Sequence, residues 1–238
     1  MLSVIVPTYN EREAVPELLD RLTATFHEGG LDAEVILVDD GSPDGTADLA
    51  ESLADRYPVR VLRRPGKMGL ASAVLDGLKL AQGDLICVMD ADLSHPPEAL
   101  LPMVGAVESG DAELVVGSRY VPRGGMEDWP WHRQFVSQVA NKLTWGLTAV
   151  HDATSGFFVV RRSALEGVGL NPIGFKIGLE VIARARYQRC VEVPYVFTDR
   201  KHGFSKFTTR EVIAFLKQLA ILYSEKYGAR LGLARSKA

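Results

Sequence analysis

The stretch Leu85-Ile86-Cys87-Val88-Met89-Asp90-Ala91-Asp92 decides how this chain is read. Five branched or sulfur-bearing apolar side chains in a row describe a strand covered on both faces, as in the middle of a parallel sheet. Two carboxylates follow at its C-terminal end, with one residue between them. Open α/β sheets take their ligands at that edge. Magnesium and manganese are hard cations that use one or two protein carboxylates and complete their shells with water and substrate phosphates. Asp90 and Asp92 are therefore read as ligands for one Mg2+ or Mn2+ that bridges to a nucleotide substrate. An Asp at a strand end is as readily a turn former or a helix cap, so the reading depends on what converges beside it.

The residues before this stretch repeat its logic. Spacing predicts strands over 3–6, 34–38, 59–62, 85–89 and 114–117, alternating with helices. Val15, Leu18, Leu19, Leu22 and Phe26 share one helical face, with Asn10 and Glu13 spaced as a capping box. Thr46 is placed to cap a helix carrying Leu49, Leu53 and Tyr57, and Pro96-Pro97 to open one carrying Leu100, Leu101, Val104 and Val107. This β-α alternation implies an α/β fold with a mainly parallel sheet flanked by helices. Three strand ends then bring polar clusters to one edge: Pro7 to Glu11, Asp39 to Ser42, and Asp90 to Asp92. No Gly-x-Gly-x-x-Gly follows the first strand and no Gly-Lys-Ser/Thr follows any strand, so phosphates must be held another way.

The second half is less regular. Residues 122–131 read as a loop, and a helix follows through Phe135, Val139, Leu143 and Leu147. Strands are expected over 157–160 and 191–197, and a helix over 177–186. A last amphipathic helix starts at Thr208, with Glu211 as its capping-box partner. The organisation expected is one domain over 1–228, with a nucleotide-binding half over 1–120 and an acceptor-binding half over 121–228. Residues 229–238 read as a basic flexible tail.

Composition narrows the class. The chain has 238 residues, 47% apolar, with a net charge of −3, which argues against nucleic-acid binding. Cys87 and Cys190 have no metal-ligand spacing and read as reduced core residues of a cytoplasmic protein. The N-terminus lacks a basic region ahead of its apolar run, so no signal peptide is expected. No window reaches the roughly 18 apolar residues that span a bilayer. The last helix and the cations after Glu225 fit peripheral contact with anionic lipid at the cytoplasmic face of a membrane, or a separate membrane-anchored partner.

Taken together, Val4-Ile5-Val6-Pro7-Thr8-Tyr9-Asn10-Glu11, Val38-Asp39-Asp40-Gly41-Ser42-Pro43-Asp44-Gly45-Thr46 and Asp90-Ala91-Asp92 resemble the family 2 glycosyltransferases of the GT-A fold. Arg64 to Leu70, Ser94-His95-Pro96-Pro97, Gly117-Ser118-Arg119-Tyr120, Asp152 to Phe157 and Asp199 to Lys206 narrow the resemblance to the dolichol- or polyprenol-phosphate mannose synthases. It extends over nearly the whole chain.

The resemblance implies transfer of mannose from GDP-mannose to a polyprenyl phosphate, with inversion at the anomeric carbon. It places Pro7, Tyr9, Glu11, Val38 and Asp40 around the nucleoside, with Lys67 among the substrate-binding residues. Asp90, Ala91 and Asp92 fall at the metal and diphosphate, and Arg119, Arg133, Arg200 and Lys206 around the phosphate groups. Asp152 stands where a general family 2 enzyme has its base. A phosphate acceptor is mostly dianionic at neutral pH and needs little such help, so Asp152 is expected to position the acceptor or its cationic clamp. Ser94 replaces the family's frequent Gln, and Phe158 replaces an Arg common after Ser-Gly-Phe, leaving Arg161 or Arg162 as compensating charges. His95 reads as a structural turn residue. Two alternatives stand beside this: another donor such as UDP-glucose, and a non-catalytic sugar-nucleotide-binding subunit of a membrane complex.

Overall fold

The computed structural model describes residues 1–127, 129–198 and 209–228. In chain order the elements are β1 (Leu2–Thr8), α1 (Val15–Gly29), β2 (Ala33–Asp39), α2 (Thr46–Ser52), β3 (Val59–Arg63), α3 (Leu70–Leu80) and β4 (Leu85–Val88). A 3-10 turn, Pro97–Ala99, leads into α4 (Leu100–Glu108), then β5 (Leu114–Ser118), β6 (Gly125–Met126), α5 (Trp131–Lys142) and β7 (Phe158–Arg161). The chain continues through α6 (Arg162–Leu165), α7 (Ile177–Arg184), β8 (Cys190–Pro194), β9 (Val196–Phe197) and α8 (Thr209–Gly228).

Seven strands form one sheet in the order β3-β2-β1-β4-β7-β5-β8. All neighbours pair in parallel except β7, which runs antiparallel between β4 and β5. Both faces are covered, which explains the unbroken apolar runs. Val4, Val6, Val35, Leu37, Cys87 and Val115 point into one core with Val15, Leu18, Leu19 and Leu22 of α1 and Met103 and Val104 of α4. Ile5, Ile36, Val38, Ile86, Val88 and Val116 point into the other, with Ala73 and Val74 of α3, Ile177 of α7 and Phe215 of α8. Neighbouring residues thus serve opposite faces, as the period of two requires.

Local chemistry moves several boundaries. The Asn10–Glu13 capping box does not form. Asn10 takes a left-handed φ of 59°, and α1 begins at Val15 with Pro16 in its first turn, where a fixed φ and a missing N–H cost nothing. Asp44, not Thr46, organises the start of α2: its Oδ1 accepts the Thr46 N–H at 3.0 Å and the Thr46 hydroxyl at 2.6 Å. That helix ends at Ser52, short of Tyr57. Gly125–Met126, expected as loop, pairs in parallel with β9, and the single strand expected over 191–197 breaks at Tyr195. Thr208 and the tail over 229–238 lie outside the described residues.

Candidate active site

The C-terminal end of β4 turns sharply. Leu93 has φ 63°, a left-handed conformation that costs an L side chain about 1–2 kcal/mol. Hydrogen bonds hold the turn on both sides. The Asp90 N–H donates to His95 Nδ1 at 3.0 Å, and Asp92 Oδ1 accepts the Ser94 N–H at 3.1 Å and its hydroxyl at 2.6 Å. Ser94 is thus buried as the partner of Asp92. His95 stacks on Phe157 at 5.0 Å and meets Tyr195 and Phe197 edge-on. Burial pushes its pKa down, against the pull of Asp90 and Asp92. A neutral imidazole accepting at Nδ1 is a structural prop, as its place before Pro96-Pro97 suggests.

Among the described residues no group of three or more His, Cys, Asp or Glu side chains is placed to close around a metal. The donors available are the carboxylates of Asp90 and Asp92. That set suits a hard cation sharing its shell with phosphate and water, and it does not suit a closed zinc site.

At the end of β2, Asp40 is buried and heavily engaged. Its Oδ1 accepts Arg64 Nη1 at 2.6 Å and the Met68 N–H at 2.9 Å, and its Oδ2 accepts the Gly69 N–H at 2.8 Å. Asp40 therefore folds the 64–69 loop back over the sheet edge. That loop carries Lys67, whose ammonium lies 3.8 Å from the centroid of the Tyr9 ring. Pro7, Tyr9 and Glu11 are half-buried where β1 ends. Val38 and Ala91 are buried, and Val38 packs its side chain into the α3 core, leaving main-chain groups to face a ligand.

A second centre lies at the end of β5. Arg119 forks onto Asp152 with Nε–Oδ2 and Nη2–Oδ1 distances of 2.7 Å each, and its own N–H adds a bond to Oδ2 at 3.0 Å. Asp152 is fully buried. Burial alone would raise its pKa, yet the Arg119 charge and hydrogen bonds hold it below the usual carboxylate range. Asn141 of α5 donates to Asp152 Oδ1 at 3.3 Å and accepts the Thr154 N–H at 3.0 Å. Glu192 accepts the Asp152 N–H. Arg133 of α5 stacks 3.9 Å from the Trp129 ring, and Arg119 lies 5.4 Å from the same ring. Arg119 and Arg133 thus come together around one aromatic platform, with Asp152 as the positioning residue for Arg119. Arg200 and Lys206 lie outside the described residues.

Two substitutes expected from sequence are misplaced. Phe158 is buried at the site end of β7, whereas Arg161 pairs with Leu85 at the opposite end of β4. Arg161 donates to the Val107 carbonyl and Arg162 to those of Gly83 and Ala81. Neither can supply the missing charge, because one four-residue strand separates them from the edge.

Sequence reasoning missed Lys176, just before α7. Its ammonium donates to the Thr154 carbonyl at 2.9 Å. Burial, then the Arg119 charge, pushes its pKa down to about 8, while Asp152, Asp90 and Glu211 oppose the shift. Nothing in its local sequence flags it, since Thr154 is 22 positions away.

α5 holds a further surprise. Trp131, Phe135, Val136, Val139 and Leu143 form one stripe on the helix and its C-cap, and they are exposed, with Trp131 at 79% and Phe135 at 60%. Trp145 follows at 64%. The inward side carries Arg133, Asn141 and Thr144 instead. α8 also shows Ile213, Leu216, Ile221 and Tyr227 to solvent. Among the described residues no helix is long and apolar enough to cross a membrane.

The model of the family described as "Glycosyl transferase family 2" matches residues 3–169. A dolichol-phosphate mannosyltransferase of Pyrococcus furiosus is 42% identical over 92% of this chain, and the chain spans 62% of that relative's length. The dolichol-phosphate mannosyltransferase of Saccharomyces cerevisiae is 38% identical over 95% of this chain and 88% of its own. The polyprenol monophosphomannose synthase of Mycolicibacterium smegmatis is 42% identical over 86% of this chain and 80% of its own. Among solved structures, glucosyl-3-phosphoglycerate synthase of Mycobacterium tuberculosis superposes with a TM-score of 0.68 at 21% identity, over 96% of this chain and 81% of that one. The same synthase has been crystallised with Mn2+, UDP and phosphoglyceric acid, with a TM-score of 0.66 at 20% identity, over 94% of this chain and 78% of that one.

Proposed function

The chain belongs to glycosyl transferase family 2, and on that premise we propose that it transfers mannose from GDP-mannose to a polyprenyl phosphate, giving polyprenyl phosphomannose and GDP. The observation that carries this reading is the pairing of two unlike centres on one sheet edge. Asp90 and Asp92 stand at the end of β4, and Arg119 and Arg133 gather beside β5. A carboxylate pair suits a metal-bound diphosphate, and two guanidiniums suit a phosphate acceptor.

Each residue then has a defined task. Tyr9, Lys67 and the loop anchored by Asp40 border the space for the nucleoside. Asp90 and Asp92 would hold Mg2+ or Mn2+, which when bound supplies positive charge to the leaving diphosphate. Arg119 is oriented by Asp152, so its guanidinium is placed before the acceptor arrives. Asp152 is not a base in this scheme. It is buried, ionised and committed to Arg119, and a dianionic phosphate attacks the anomeric carbon without giving up a proton. Direct attack inverts that carbon.

The exposed stripe of α5 supports peripheral contact with a membrane, on the cytoplasmic side where the sequence reading places the chain. Aromatic and aliphatic side chains face outward, Lys142 and His132 flank them, and residues 131–145 contain no acid. Such a helix lies in the lipid interface and is favoured by anionic headgroups. The same helix carries Arg133 on its inner side, so the acceptor's phosphate and its lipid tail would meet one element.

The test uses purified protein, labelled GDP-mannose and polyprenyl phosphate, with and without Mg2+ or Mn2+. Labelled lipid should form only with metal, and Asp92→Ala should abolish it while the far-UV spectrum is kept. Equal product from Asp92→Ala refutes the assignment, as does transfer from UDP-glucose with none from GDP-mannose.

A further inference from the structure

We propose that Lys176 is a phosphate-binding residue of this site, a third cation beside Arg119 and Arg133 that pairs with a phosphate oxygen of the acceptor monoester or of the donor diphosphate. The inference rests on the transferase reading of the same site.

Its first support is charge accounting. Arg64 is paired with Asp40, Arg119 with Asp152, and Arg184 with Glu180. Lys176 is half-buried, yet among the described residues its ammonium meets one neutral carbonyl and no carboxylate within ion-pairing reach. The ring of Phe175 lies 4.7 Å away and adds no counter-charge of its own. A cation partly withdrawn from water is costly unless an anion accompanies it. An ammonium has three donors, and Thr154 uses one.

The second support is position. The Thr154 carbonyl that holds Lys176 belongs to the turn leading into Gly156, where a Cβ would meet His95 Cε1 at 3.6 Å and Asp90 Oδ1 at 3.9 Å. The same turn begins at Asp152, the partner of Arg119. The charges of Arg119, Asp152, Asp90 and Glu211 all act on Lys176. The turn that holds its ammonium joins the Arg119–Asp152 pair to the surroundings of Asp90, so phosphates bound at either centre would come near it.

The third support is rigidity. A Cβ on Gly178 would lie 2.2 Å from the Ser155 carbonyl oxygen. Only a glycine lets α7 pack so closely on the 152–156 turn, and that contact fixes Lys176 two residues earlier. Glu180 and Gln218 tie the helix to α8 from the other side, with Gln218 Nε2 bonded to Glu180 Oε2 at 3.1 Å. A flexible surface lysine would need none of this support.

The experiment measures, by calorimetry in Mg2+, the affinity of wild type, Lys176→Met and Lys176→Arg for three probes: GDP, a short water-soluble prenyl phosphate, and the matching uncharged prenol. Loss of a charge-assisted hydrogen bond corresponds to roughly 10- to 100-fold in affinity. Lys176→Met should lose about that much for one phosphate ligand, with prenol binding unchanged, and Lys176→Arg should recover most of it. Loss confined to the prenyl phosphate assigns Lys176 to the acceptor, and loss confined to GDP assigns it to the donor. Unchanged affinity for both phosphates overturns the proposal. Equal loss of all three ligands in both variants, with a lowered Tm, also overturns it and makes Lys176 structural. A wild-type protein that binds GDP yet forms no mannolipid refutes the transfer reading instead, and the GDP comparison still decides Lys176.

Discussion

Helices α1 and α5 carry apolar residues at the same spacing and turn them in opposite directions. Leu18, Leu19 and Leu22 of α1 are fully buried against β1 and β2. Phe135, Val136 and Val139 of α5 face solvent, while Asn141 lies inside and bonds to Asp152 and Thr154. Periodicity says that a helix has two faces. What the rest of the molecule demands decides which one turns inward. Beside α1 the sheet offers the apolar side chains of Val4, Val6, Val35 and Leu37. Beside α5 lie a buried carboxylate and the buried Thr154 N–H, which need the hydrogen bonds that Asn141 supplies.

The contrast can be broken by substitution, and its largest consequence is in stability. Leu22→Ala should cost about 2–5 kcal/mol in urea unfolding, whereas Phe135→Ser should stay within about 0.5 kcal/mol. A comparable loss at both positions would mean that α5 packs its apolar face after all. Next in size is the inner side of α5. Asn141→Ala leaves the buried Thr154 N–H without its acceptor and should cost about 1–3 kcal/mol. Because Asn141 also supports the Arg119–Asp152 pair, acceptor KM should rise with it, while donor KM holds.

The outer side should respond in a different assay. Phe135→Ser combined with Val139→Ser should lower binding to anionic vesicles by about 10-fold or more, with turnover of a soluble prenyl phosphate unchanged. Equal loss on the soluble acceptor would place those side chains in the catalytic region. The smallest effect concerns pH. Lys176 is held down to about 8 by burial and by Arg119, so it is charged below that pH and neutral above it. Affinity for its phosphate ligand should therefore fall as pH rises through about 8, by a few-fold. Lys176→Arg should flatten that decline, since a guanidinium stays charged. A decline of the same shape in both proteins would assign it to another group.

Much of this was legible in the residues. The apolar runs at 35–38 and 85–89 marked strands covered on both faces, and the alternation with helices marked the parallel sheet. The clusters ending β1, β2 and β4 converge as strand polarity requires. Other features were silent for physical reasons. Phe158-Val159-Val160 is as apolar as its neighbours, and composition carries no strand direction, so the reversal of β7 was invisible. Arg161 and Arg162 are near in sequence to the Ser-Gly-Phe turn, yet one strand length carries them to the opposite edge. Asp40 matches a nucleoside-binding position of the resembled family, whereas its bonds to Arg64 and two N–H groups depend on a loop 24 to 29 residues away and left no local trace. Lys176 needed a contact of the same long-range kind to be noticed.

The reversed strand sets a distance. Phe158 stands opposite Val88 on one side and Val116 on the other, so the two parallel strands are held two inter-strand spacings apart, about 10 Å. Asp90 and Arg119 project from just beyond those two residues. Backbone hydrogen bonds, which are indifferent to side-chain identity, therefore act as a gauge block between the two centres. Substitutions can retune what is gripped at either end, but the gap itself changes only if a strand is gained or lost. Divergence in donor or acceptor choice would then be confined to the loops at that edge, over a span that stays constant.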